Sequence, residues 1–223
     1  MSKKVVVAIG GNSVREHFHP ADNFTSMIES EQGPETCNTY NMLKLTRHLF
    51  GWRPAGELFD YYERAHLNHI LAHQDPATGM FTYMTPLMSG TKRSFSTPTD
   101  SFWCCVGSGM ESHSKHGDSI WWHADDTLMV NLFIPSRVTW QERGAQLEMN
   151  TGYPYDGVVN VKVSSLRKPQ TFAVALRVPG WAKNPQLTVN GKPVETRTDS
   201  GYLIVRRRWR DGDAVAFTLP LEL

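Results

Sequence analysis

The hydrophobic period of the chain changes near residue 124, and that change most constrains how it can fold. Before it, apolar residues recur at helical spacing. Residues 37–50 place Tyr40, Leu43 and Phe50 on one face, with Met42, Leu45 and Leu49 alongside and Gly51 as a stop. Pro54 sits where a first helical position belongs, and Leu58, Tyr61, Tyr62, Ala65, Ile70 and Ala72 predict a second amphipathic helix over 55–73. A third is predicted from about Gly107 to Trp122, with Met110, Ile120 and Trp121 apolar. Beyond 124 the period is two. Leu128–Ile134, Val158–Val163, Thr171–Val178, Leu187–Val189, Tyr202–Val205 and Ala214–Leu219 read as short strands, and Asn190-Gly191 is a strong hairpin signal. The expected fold class is a two-part α+β chain, helical over 1–123 and an antiparallel β-sandwich over 124–223.

Three helices bury too little apolar surface to make an independent domain, and the first 35 residues, rich in Gly, His and Asn, read as loops. The helical part is therefore expected to be the end of a larger helical domain whose earlier helices are missing here. Lys and Arg number 23 against 22 Asp and Glu, so no electrostatic footprint for nucleic acid or an anionic membrane is present. No apolar stretch approaches the roughly 20 residues of a membrane helix. The run Val5–Ile9 is too short for a signal-peptide core, so no export signal is visible. With the front expected to be missing, the compartment stays open. Val5 to Asn12 has the look of a strand entering a glycine-rich anion loop, but Val14–Pro20 does not open the helix that phosphate binding requires.

Three cysteines cannot all pair within the chain, and the adjacent Cys104 and Cys105 would pair only with strain. Two readings stand: three buried thiols, or a thiolate metal site. Glu35, Cys37, Cys104 and Cys105 together offer the number and kind of donors that tetrahedral zinc accepts. Neither pair suits one face of a regular helix, so both belong at element ends or in loops, which Pro34 and Gly107 fit. His66, His69 and His73, at i, i+3 and i+7, share a helix face. They are a second metal candidate or a polar stripe, and no carboxylate at metal spacing reinforces them. His17 with His19, and His113 with His116, are weaker pairs of the same kind.

Three blocks carry a resemblance. Gly10-Gly11-Asn12-Ser13-Val14-Arg15-Glu16-His17-Phe18, then Gly33-Pro34-Glu35-Thr36-Cys37-Asn38-Thr39-Tyr40, then Phe102-Trp103-Cys104-Cys105-Val106-Gly107-Ser108-Gly109 resemble, in order, the β-L-arabinofuranosidase family of glycoside hydrolases. The resemblance covers nearly the whole chain but only the C-terminal part of the family's usual length. It implies that residues 1–123 are the C-terminal part of an (α/α)6 barrel. It also implies a zinc ion held by Glu35, Cys37, Cys104 and Cys105, with Cys104 as nucleophile and Glu16 as general acid/base. Tyr83, in Thr82-Tyr83-Met84-Thr85-Pro86-Leu87, would lie near the nucleophile and contact the sugar. The implied activity is retaining hydrolysis of β-linked L-arabinofuranose from a plant-type glycan, here in a truncated chain. The alternatives are a non-catalytic fragment whose sandwich is a structural or sugar-binding module, and a related activity on another L-sugar. An incomplete barrel further implies self-association through its uncovered helix faces.

Overall fold

The computed structural model describes residues 6–221 and holds mixed α and β structure. The chain forms two compact units. One runs to Pro54 and resumes over Asp60–Gly117; the other joins Ala55–Phe59 to the chain from Asp118 onward.

The first unit opens with a two-stranded antiparallel ladder, β1 (Ser13–Val14) with β2 (His17–Phe18), and a short helix α1 (Thr25–Ile28). Helix α2 (Thr36–Trp52) follows and buries Thr36, Thr39, Tyr40, Leu43, Thr46 and Phe50, the stripe that an amphipathic helix presents to a core. Helix α3 (Gly56–Ala65), whose first four residues belong to the other unit, widens to π pitch over His66–Ile70 and tightens to 3-10 pitch over Leu71–His73. The run predicted over 55–73 is thus helical from Gly56 to His73, but its changing pitch breaks the regular single-face spacing of the three histidines. The last helix, α4 (Cys104–His113), is shorter than the predicted stretch to Trp122. Turns follow it, and Trp121 and Trp122 belong to a strand. The Lys115–Ser119 stretch, with Gly117 at its centre, interrupts the helical period, and the adjacent tryptophans then project to opposite sides as strand residues do. The predicted strand entering the Gly10-Gly11 loop is absent from Val6–Ile9, and Val5 lies outside the described residues.

Strands β3 (Trp121–Ala124), β4 (Thr127–Val130), β5 (Ser136–Trp140), β6 (Ala145–Thr151), β7 (Val158–Leu166), β8 (Gln170–Arg177), β9 (Gln186–Val189), β10 (Lys192–Pro193), β11 (Arg197–Asp199), β12 (Tyr202–Trp209) and β13 (Ala214–Thr218) build the second unit. They form a six-stranded sheet in the order β10-β9-β13-β7-β6-β5 and a five-stranded sheet in the order β11-β12-β8-β4-β3. Pairing is antiparallel except between β4 and β8, which run parallel. That one pair departs from the all-antiparallel expectation. β7 alternates strictly through Val159, Val161 and Val163, all buried, which fixes one face inward. β8 is buried over Phe172–Arg177, as a central strand should be. Trp140 of the six-stranded sheet meets Phe172 of the five-stranded one edge to face, ring centres 5.6 Å apart. The Asn190-Gly191 signal becomes the β9–β10 hairpin turn, with φ of 52° and 74°, the left-handed pair that a type I′ turn needs.

Trp209 is the largest fully buried side chain of this unit. Its indole N–H donates to the Phe172 carbonyl at 3.0 Å and its ring stacks on Phe172. Trp209→Ala should therefore cost about 3–5 kcal/mol of stability, read by urea denaturation followed by circular dichroism. A loss below about 1 kcal/mol would show that this ring is not the centre of the core.

Candidate active site and metal centre

The site lies wholly in the first unit and is assembled around one short segment, residues 82–85, that bends at Tyr83. The main-chain N–H of Thr36 donates to the Tyr83 carbonyl at 3.2 Å, and the Thr36 hydroxyl donates to the same oxygen at 2.6 Å. Thr85 N–H donates to the Pro34 carbonyl at 3.0 Å. On the other side, Glu35 N–H donates to the Ser13 hydroxyl at 3.0 Å and Arg15 N–H to the Gly33 carbonyl at 2.9 Å. Gly33 permits this close layering: its φ is +67°, and a Cβ there would stand 2.1 Å from the Thr85 carbonyl oxygen. The loop carrying Glu16, the start of α2 and the Tyr83 segment are thereby fixed to one another.

Glu35 is the N-cap residue of α2 and Cys37 lies in its first turn. Trp103 is the N-cap of α4, and Cys104 and Cys105 are its first two residues. Two helix N-termini therefore present three thiols and a carboxylate to one point, and their partial positive charge favours anions there. The ligand atoms of Glu35, Cys37, Cys104 and Cys105 lie within 4.8 Å of one another, and no other such group occurs among the described residues. Cys37 and Cys105 sulfurs are 3.0 Å apart, Cys104 and Cys105 4.0 Å, and the Glu35 carboxylate is 3.7 Å from Cys104 and 3.9 Å from Cys105. All three thiols are free. A tetrahedral ion with bonds of about 2.3 Å to sulfur has edges of about 3.8 Å, and these separations bracket that value.

Burial makes this cluster demanding. Glu35 and Cys105 are buried and Cys37 half-buried, while Cys104 is exposed. Desolvation raises the Glu35 carboxyl above its usual range and raises the Cys104 thiol. Cys37 is held still higher, first by donating to Cys105 and then by burial. Four potential anions thus share a small volume whose surroundings disfavour charge, and a cation among them would invert that balance. The donor set fits zinc.

Beside the cluster, the Cys104 thiol lies 3.4 Å from the Tyr83 hydroxyl, which donates to the Glu16 carboxylate. One hydroxyl therefore separates Cys104 from Glu16, a span of roughly 6 Å at most. The Tyr83 phenol is held above its usual range by its bonds to Cys104 and Glu16. Reversing the chain, a protonated Glu16 would donate to Tyr83 while Tyr83 donates to a Cys104 thiolate. A cleft of about 560 Å3 opens here, lined by Arg15, Glu16, Glu31, Tyr83, Lys92 and Trp103 among others.

The histidines do not converge on a metal. His69 is bonded to Thr39 at 2.9 Å and Thr85 at 3.1 Å, and His73 packs on Phe81. His66 bonds His116 at 2.7 Å, and His116 bonds His113 at 3.2 Å. His19 Nδ1 donates to the Pro20 carbonyl, whereas His17 faces the cleft. Two contacts have no counterpart in the sequence reading. Ser108 sits 3.0 Å from the Cys37 sulfur, and Trp103 lines the cleft. Ser108 falls three residues after Cys105, on the same helix face, which is the signal that could have found it.

Residues 1–118 match the family model for the β-L-arabinofuranosidase GH127 catalytic domain, and residues 127–221 match that for the GH127 middle domain. The chain belongs to the GH127 β-L-arabinofuranosidase family. It is similar in structure to Ara127N-Se, a GH127 β-L-arabinofuranosidase from Geobacillus stearothermophilus T6. The TM-score is 0.81 at 24% identity, over 98% of this chain and 36% of that one. It is also similar to the GH127 β-arabinofuranosidase BT3674, with a TM-score of 0.79 at 26% identity over 97% and 37%. A glycoside hydrolase matches with a TM-score of 0.70 at 22% identity over 86% and 34%. The chain thus spans about a third of the length of these solved structures. No curated protein matches it. Among the described residues no helix is long and apolar enough to cross a membrane.

The buried histidines make the first unit acid-sensitive. Burial pushes His66 and His73 down to about 4 and His69 to about 3. An unfolded histidine titrates near 6.5, so below that pH the unfolded chain binds protons that the folded one refuses. The stability is complete above about pH 6.5 and is lost as pH falls toward 4, on the order of 3 kcal/mol for His66 alone. Thermal melts between pH 7.5 and 4.5 should show this fall, and His66→Gln should make it shallower. An equal slope in the variant would show that His66 is not a source of it.

Proposed function

We propose that this chain carries the reacting groups of a zinc-dependent retaining glycosidase that releases β-linked L-arabinofuranose from a glycan. The observation that carries this reading is the Cys104–Tyr83–Glu16 chain beside the Glu35/Cys37/Cys104/Cys105 cluster. A retaining glycosidase needs a nucleophile and an acid/base group about 5–5.5 Å apart on either side of the scissile bond. One bridging hydroxyl is consistent with that spacing.

Bound zinc would keep the cluster thiols ionised at neutral pH. Cys104 Sγ attacks the anomeric carbon, the carbon–oxygen bond to the leaving group breaks, and Glu16 protonates that oxygen. Glu16 then takes a proton from water, the water oxygen bonds the anomeric carbon, and the carbon–sulfur bond breaks to return the Cys104 thiolate. Two inversions give net retention. Tyr83 orients both groups and exchanges its hydrogen bond between them. Glu35, Cys37 and Cys105 hold the cluster in place.

In this reading residues 1–123 are the C-terminal part of an (α/α)6 barrel and 124–223 a β-sandwich domain. Large apolar side chains on the helical part, such as Trp52 and Phe102, stand exposed and support self-association through it. Family membership supports the substrate class.

The test is covalent trapping. Glu16→Gln removes the base of the second step, whereas an activated aryl leaving group needs no acid in the first. Incubating that variant with an activated aryl β-L-arabinofuranoside should give a pentosyl adduct on the tryptic peptide that carries Cys104, read by mass spectrometry. The adduct should vanish in Glu16→Gln/Cys104→Ser. An unmodified Cys104, with wild type also inert toward this substrate, would contradict the assignment.

A further inference from the structure

We propose that Trp103 is a sugar-binding residue of this site, its indole face packing against the apolar face of the furanose and its N–H donating to a sugar hydroxyl. This rests on the function proposed above and assigns a residue to it. Trp103 lines the same cleft as Glu16 and Tyr83. It is the N-cap residue of α4, one peptide bond before Cys104, so its position is tied to that of the nucleophile by the start of a helix. Its ring centre lies 5.7 Å from that of Tyr83 at an interplanar angle of 51°. The two rings make an aromatic corner, and the Tyr83 hydroxyl in it lies 3.4 Å from the Cys104 sulfur.

Trp103 is left free to bind, whereas Tyr83 is not. The Tyr83 hydroxyl is already engaged by Glu16 and Cys104. The indole N–H groups of Trp121, Trp140 and Trp209 all donate within the protein; that of Trp103, like those of the exposed Trp52 and Trp181, has no partner among the described residues, and Trp103 is the one of these three that lines the cleft. A half-buried indole with a free donor suits a ligand with one apolar face and a polar edge. A furanose is such a ligand. The remaining lining mixes Arg15, Glu31, Gln32 and Lys92, which can hydrogen-bond hydroxyls, with Met84 and Pro86, which can meet an apolar sugar face.

The experiment uses the exposed Cys104 thiol as the reporter. Iodoacetamide alkylation of Cys104 is followed by mass spectrometry against increasing methyl β-L-arabinofuranoside, for wild type, Trp103→Ala and Trp103→Phe. Half-protection in Trp103→Ala should need about 10-fold more sugar than in wild type, the effect of about 1.4 kcal/mol. Trp103→Phe keeps a ring and should stay within about 3-fold of wild type. Protection of wild type with an unchanged requirement in Trp103→Ala would overturn this inference and leave the proposed function standing. A Trp103→Phe as weak as Trp103→Ala would overturn the stacking role. Wild type that the sugar does not protect at all would overturn the proposed function, and this inference with it.

Discussion

Everything in the candidate site depends on the hydrogen bonds that fasten the first turn of α2 to residues 82–85. Thr36 gives both its N–H and its hydroxyl to the Tyr83 carbonyl. That segment then spends its side chain elsewhere: the Tyr83 hydroxyl reaches Cys104 and Glu16. A single short segment therefore sets the distance between the helix that brings Glu35 and Cys37 and the loop that brings Glu16. Helix α4 completes the arrangement. Gly109 lets it approach closely, because a Cβ there would stand 2.7 Å from His73 and 2.8 Å from Phe81.

The second constraint is electrostatic. Three thiols and a carboxylate meet at two helix N-termini, where backbone amides favour negative charge, yet their burial resists it. The two effects oppose one another, and an ion with two positive charges would decide the balance. Cys104 differs from its partners in being exposed. A sulfur that belongs to the cluster and also faces solvent can meet a substrate, whereas Cys105 cannot. The neighbouring histidines play no comparable part. His66, His69 and His73 are buried and His113 and His116 half-buried, tied to threonines, to other histidines or to aromatic rings, and they bear on stability rather than on chemistry.

Some of this was legible in the sequence and some was not. The period of two beyond about 124 runs along strands, because side-chain periodicity follows directly from backbone geometry, whereas β3 (Trp121–Ala124) lies before that change. Asn190-Gly191 specified its hairpin because left-handed φ values select those residues. The length of α4 was not legible: Trp121 and Trp122 extend a helical apolar pattern until their pairing with β4 overrides it. Nor was the parallel β4–β8 pair, which joins strands more than 40 residues apart and leaves no local mark. By spacing alone, Glu35, Cys37, Cys104 and Cys105 are one of two readings, since their meeting depends on two helices packing side by side with their N-termini together, 67 residues apart in the chain. The family resemblance supplied what local pattern could not. Trp103, an aromatic next to two cysteines, carries no spacing signal of its own.

The account stands on the claim that the four donors at the two helix ends form one zinc site. Zinc K-edge X-ray absorption of the protein loaded with one equivalent of zinc reads that shell directly. Three sulfur scatterers at about 2.3 Å and one oxygen at about 2.0–2.2 Å are the expected result. A shell of nitrogen and oxygen alone, or one with a single sulfur, would contradict it.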